Sequence, residues 1–158
     1  MLKATFRCFG GLSAAAEQRL WDRGVLQWRD VFSARSGLFS PTREESLHRQ
    51  IPEAEAALAG GCVDYFLSRL DGVEMVRALH DFRTDTAFLD IETTGLEKHA
   101  EITMIAMYFR GHVFFYVSGI NLETFLADIM APSLLVTYNG TRFDLPRLRK
   151  RFGIDLPH

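Results

Sequence analysis

With 158 residues, 47% of them hydrophobic and 24% charged, the chain has the makeup of one ordinary globular domain or two small ones. Disorder is excluded, because enough apolar surface is available to form a real core. The formal charge of −2 is unevenly placed: residues 1–80 carry ten basic and ten acidic side chains, residues 81–158 eight and ten. That balance argues against a protein that holds nucleic acid by backbone neutralisation alone. It leaves room for carboxylates that work through a bound cation.

The only cysteines, Cys8 and Cys62, lack metal-ligand spacing and fit reduced thiols better than a disulfide framework. Residues 1–7 show no signal-peptide apolar region and no run approaches 18 apolar residues, so a membrane role is not expected and the cytoplasm is the default location.

Residues 1–82 read as a small all-helical domain. Ser13 is placed to cap an Ala-rich helix over Ala14 to about Asp22, with Gly24 to stop it. A second short helix runs through Asp30, Val31 and Phe32. The pattern Gly10-Gly11-Leu12-Ser13, Leu20, Gly24-Val25, Trp28 and Val31 resembles a helix-hairpin-helix unit. Such a hairpin can offer backbone N–H groups to a phosphate, or its glycines can simply make a tight turn. Pro41 and Thr42 start a further helix through Leu47 and Ile51, which Pro52 is expected to break or restart. Gly60-Gly61 is punctuation. Val63, Phe66, Leu67 and Leu70 then follow helical spacing, and Asp71-Gly72 separates them from a last helix through Val73, Val76 and Leu79. His48 and His80 have no partners in the pattern and read as surface or packed histidines.

Residues 83–158 change period. Thr86–Glu92 is a strand, and Ile102–Arg110 and His112–Val117 are two strands joined by a tight hairpin at Arg110-Gly111. Asn121 is placed to cap a helix with an apolar stripe at Leu122, Phe125, Leu126 and Ile129, ended by Pro132. Leu134–Tyr138 is a short buried strand before Asn139-Gly140, and a last helix begins near Asp144. The order β, β, β, α, β, α predicts an α/β fold, a mixed sheet with flanking helices.

The centre of this half is Phe88-Leu89-Asp90-Ile91-Glu92-Thr93-Thr94-Gly95. Side chains two apart on a strand share a face, so Asp90 and Glu92 stand together while Leu89 and Ile91 enter a core. Neighbouring carboxylates repel unless a cation lies between them, and an oxygen-seeking Mg²⁺ or Mn²⁺ suits the site.

These residues through Leu96, with Tyr138-Asn139-Gly140-Thr141-Arg142-Phe143-Asp144-Leu145-Pro146 about 50 residues later, resemble the first two motifs of the DEDD-type 3′→5′ exonucleases. The Asn-Gly-x-x-Phe-Asp-x-Pro phrase, the intervening meander and the helical leader resemble their YprB-like branch. The resemblance implies a partial ribonuclease H-like sheet and phosphodiester hydrolysis at the 3′ end of DNA or RNA with two divalent ions. By the same resemblance Asp90 bridges both ions, Glu92 helps hold the ion that activates water, and Asp144 serves the second. Thr93 and Thr94 sit where a turn's backbone could touch the terminal nucleotide, and Asn139 could fix the loop that aims Asp144 or contact substrate.

Rival readings stand beside these. Asp144 follows Thr141 at capping-box spacing, or is itself a helix cap. Arg147 and Arg151 share a helical face that either guides a nucleic-acid backbone or is merely solvated. His99 and His112 match neither motif, and Tyr138 reads as core. The family also needs a fourth carboxylate and a Tyr or His on a later helix. Asp155 and His158 do not supply them, so residues 83–158 read as a domain whose C-terminal part is missing, a fragment inactive by itself. The alternative is a non-catalytic nucleic-acid-binding module.

Overall fold

The computed structural model describes residues 1–34, 37–97, 99–154 and 156; the readings given to Asp155 and His158 lie outside the described residues. The chain divides into two compact units, Met1–Asp81 and Phe82–His158.

The first unit is helical. Its helix α1 (Ala14–Asp22) starts where Ser13 Oγ accepts the Ala16 N–H at 3.2 Å, and Gly24 follows with φ of +82°. A single turn, α2 (Asp30–Ser33), precedes the long α3 (Pro41–Ala59), then α4 (Val63–Leu67) and, after a 3-10 turn over Gly72–Met75, α5 (Val76–Asp81). Pro52 does not break α3, contrary to expectation. A proline frees the carbonyl four residues earlier, here His48, and both residues are exposed, so water can take that acceptor. The core is built on Trp28, edge-on to Phe9 at 5.6 Å and stacked on Phe66 at 6.2 Å. Its indole N–H is satisfied by the Thr5 carbonyl at 2.8 Å.

The second unit is a four-stranded sheet ordered β3-β2-β1-β4, from β1 (Thr86–Thr93), β2 (Ile102–Phe109), β3 (His112–Val117) and β4 (Leu134–Thr137). Strand β1 pairs antiparallel with β2 and parallel with β4, so the sheet is mixed. Residues Arg110 and Gly111, with φ of 49° and 85°, form the two-residue hairpin between β2 and β3; the left-handed pair matches strand twist. Short α6 (Phe125–Asp128) and α7 (Asp144–Phe152) complete the unit.

Alternation along β1 sorts its side chains. Ala87, Leu89 and Ile91 are buried in a core shared with Ile105, Phe125 and Leu148, while Phe88, Asp90 and Glu92 are exposed. Asn121 does not cap the helix that follows it. Its side chain instead accepts the Val117 N–H at 2.7 Å and donates to the Phe115 carbonyl at 2.9 Å, closing the turn after β3. The segment therefore begins as a 3-10 turn over Leu122–Thr124 before α6.

Candidate functional site

Strand β1 delivers Asp90 and Glu92 to one face, opposite Ala106 and Met104 of β2. The register shifts between Glu92 and Thr93, so the strand is deformed where the acidic pair ends. The turn beyond uses its own hydroxyls. Thr93 Oγ1 donates to the Gly95 carbonyl at 2.6 Å, and Thr94 Oγ1 accepts the Glu101 N–H at 3.0 Å. Both threonines thus shape the loop that follows β1.

The second motif is built by a tight Asn-Gly turn. Asn139 is left-handed with φ of 55°, a conformation asparagine tolerates better than most residues, and its carbonyl accepts the N–H groups of Arg142 and Phe143 at 3.1 Å. At Gly140 a Cβ would collide with Thr137, so only glycine lets the chain pass so close to the end of β4. The Gly140 carbonyl then receives the Leu145 N–H at 2.9 Å and starts α7. Asn139 therefore holds the loop that aims Asp144.

Asp144 is the residue this construction places. It is only 1% exposed, and its Oδ1 has no hydrogen-bond partner. Burial pushes its carboxyl above the ordinary aspartate range, and the Asp90 charge acts in the same direction. Its own N–H, the Ile91 N–H and Arg147 favour the charged form but do not reverse the shift. The helix has no side-chain cap bond at its N-terminus and Asp144 lies inside its first turn, so the Thr141 capping box is not formed.

The structure thus brings Asp144 beside Asp90 and the Ile91 N–H, from opposite ends of the motif pair. Among the described residues, no three His, Cys, Asp or Glu side chains converge closely enough to hold a metal ion. Glu92, exposed on β1, is not drawn into one group with Asp90 and Asp144. The Asp90–Asp144 pair nonetheless fits a hard divalent cation. It offers only oxygen donors, one of them orphaned, and Mg²⁺ needs just one or two carboxylates when water and phosphate complete its shell.

Other expectations resolve individually. Tyr138, read as core, is 91% exposed. It follows the last residue of β4 and lines an open groove of about 460 Å³ with Phe88, Asp90, Tyr108 and Val136. His99 and His112 are exposed. Sequence reading gave Arg147 either a nucleic-acid backbone or solvent and missed its clasp on the loop after β1, where Nη2 donates to the Leu96 carbonyl at 2.8 Å across 51 positions. The available signal was its place one turn after Asp144, which puts both on one side of α7.

No curated protein and no solved structure gives a significant match to the chain. Residues 87–158 match the family model described as the RNase_H superfamily, which together with the mixed sheet gives this segment a ribonuclease H-like fold, consistent with nuclease activity.

Proposed function

We propose that the second unit serves a metal-dependent 3′→5′ exonuclease acting on DNA or RNA, with Asp90, Glu92 and Asp144 as its acidic set. The observation that carries this reading is Asp144, buried with an unpaired oxygen beside the charge of Asp90. Such an arrangement is costly unless a cation or proton completes it. The superfamily match over residues 87–158 supports nucleic acid as the substrate.

Divalent ions held by Asp90, Glu92 and Asp144 would supply water activation and charge stabilisation at the leaving oxygen. The chain's part is positional. Strand β1 aims Asp90 and Glu92 from one side, and the Asn139-Gly140 turn aims Asp144 from the other. Thr93 and Thr94 fold the loop next to Glu92, within which backbone groups can meet a terminal nucleotide.

The test is release of nucleotides from a 5′-labelled oligonucleotide in Mg²⁺ or Mn²⁺, by this chain and, if its reading frame extends past His158, by the extended protein. Mn²⁺ binding is measured alongside by electron paramagnetic resonance. Asp90→Asn should weaken Mn²⁺ binding and lower cleavage by roughly 10²-fold or more, at least what supporting residues of a metal site cost. If no form cuts with either ion, or if Asp90→Asn cuts like the parent, the enzyme reading falls.

A second reading, a nucleic-acid-binding module without catalysis, is favoured by one observation: no three carboxylates converge among the described residues. Oligonucleotide binding with no cleavage under the same conditions would select it.

A further inference from the structure

Helix α7 carries Arg147, Lys150 and Arg151 at helical spacing on one side. With Ala100, Glu101, Ile102 and Ser118 they line a groove of about 370 Å³.

The pull of the helix dipole accounts for cations in the last turn, where Arg149, Lys150 and Arg151 lie. It does not account for Arg147, one turn from the N-terminus, where positive charge is disfavoured. Arg147 is also held still. Its Nη1 donates to the Phe143 carbonyl at 3.2 Å and Nη2 to the Leu96 carbonyl at 2.8 Å, and the guanidinium lies 3.6 Å from the Phe143 ring centroid. Its Nε is buried without a hydrogen-bond partner. A charge fixed this way is a permanent part of the groove wall.

Arg151 is the movable member. It pairs with Glu123, whose side chain is 67% exposed, and such a pair is weak enough for a better anion to displace. The line from Asp144 through Arg147 to Arg151 takes seven steps along one helix, about 10 Å. One end is the candidate cleavage site and the other is the groove.

We infer that this groove takes phosphate groups of the single nucleic-acid strand whose end lies at Asp90 and Asp144, with Lys150 and Arg151 contacting phosphate and Arg147 supplying fixed charge. The inference rests on the nucleic-acid reading of the carboxylate site and adds where the rest of the strand runs. Contacts to phosphate position a strand without reading its sequence.

The experiment is fluorescence anisotropy of labelled oligothymidylate and oligouridylate with the full chain, without divalent ions, over a salt series. The double variant Lys150→Gln/Arg151→Gln should bind about 10-fold or more weakly at low salt. Its salt slope should fall by about 1.4, at about 0.7 for each single-strand phosphate that is no longer neutralised. Glu123→Gln, which releases Arg151, should tighten binding several-fold, a gain that a merely structural pair would not give. Arg149→Gln removes one positive charge from the same helix away from the groove and should keep the parent slope, where a non-specific loss of charge would lower it by about 0.7. Near-ultraviolet circular dichroism verifies that each variant is folded.

The inference is overturned if the parent does not bind, if the double variant keeps the parent slope, if Arg149→Gln weakens binding as much as it does, or if Glu123→Gln does not tighten binding. The two readings fail separately. Groove-dependent binding without Asp90-dependent cleavage removes the nuclease and keeps the groove. Asp90-dependent cleavage with unaltered binding by the double variant does the reverse.

Discussion

Among the described residues each unit buries one carboxylate to 1% exposure, Glu17 in the first and Asp144 in the second, and they are treated in opposite ways. Glu17 is fully used. Oε1 accepts the Phe6 and Arg7 N–H groups at 2.6 and 3.1 Å, and Oε2 accepts Arg77 at 2.7 Å. Asp144 keeps Oδ1 without a partner and lies beside another acid. A buried charge that is paired and hydrogen-bonded holds a fold together; one left incomplete marks a candidate site. The first unit's buried acid is thus part of its architecture, and the second unit's belongs to the candidate site.

The largest expected effect tests the first half of that contrast. Glu17→Ala leaves two N–H groups and Arg77 without their acceptor, and should destabilise the first unit by about 3–5 kcal/mol, the usual cost of breaking a buried pair. Urea unfolding followed by Trp fluorescence reads it. A loss below about 1 kcal/mol, the scale of an exposed ion pair, would mean that Glu17 is no keystone.

Asp144→Asn should behave oppositely. Burial holds the folded carboxyl above its unfolded value, so folding takes up a proton in that window. The stability this contributes is fully present below the unfolded pKa, about 3.9, and is lost as pH rises through the folded value. Asparagine stays neutral throughout, so the variant should gain on the parent as pH rises above about 4, while losing divalent-ion binding. A stability difference that stays flat across this range would break the contrast with Glu17.

The smallest effect is indirect. Asp90→Asn removes the neighbouring charge, so Asp144 should release its proton at lower pH and the stability step should move the same way. Carboxyl-carbon NMR titration of Asp144 follows this directly. An unmoved titration would show that the two acids do not sense each other.

Much of the second unit was legible in its residues. Alternation alone put Asp90 and Glu92 on one face and Leu89 and Ile91 on the other, and Arg110-Gly111 announced its hairpin. In the first unit Ser13 announced its cap. These are local rules acting over two to four residues, and they hold wherever the packing agrees. Pro52, Asn121 and Tyr138 were misread because their outcome depends on surroundings. Pro52 is tolerated where water takes the freed carbonyl, Asn121 has two backbone partners back in β3, and Tyr138 falls just past the end of its strand.

The same division runs through the candidate site. The sequence by itself determined which acids are present, which strand side two of them share, and that a glycine turn precedes the third. Only the tertiary structure decided that Asp144 is buried with an oxygen unpaired, that it meets Asp90 rather than capping its helix, and that Arg147 reaches Leu96. The physical reason is that burial and electrostatic neighbours belong to whatever packs against a residue, and here the partners come from 51 to 54 positions away.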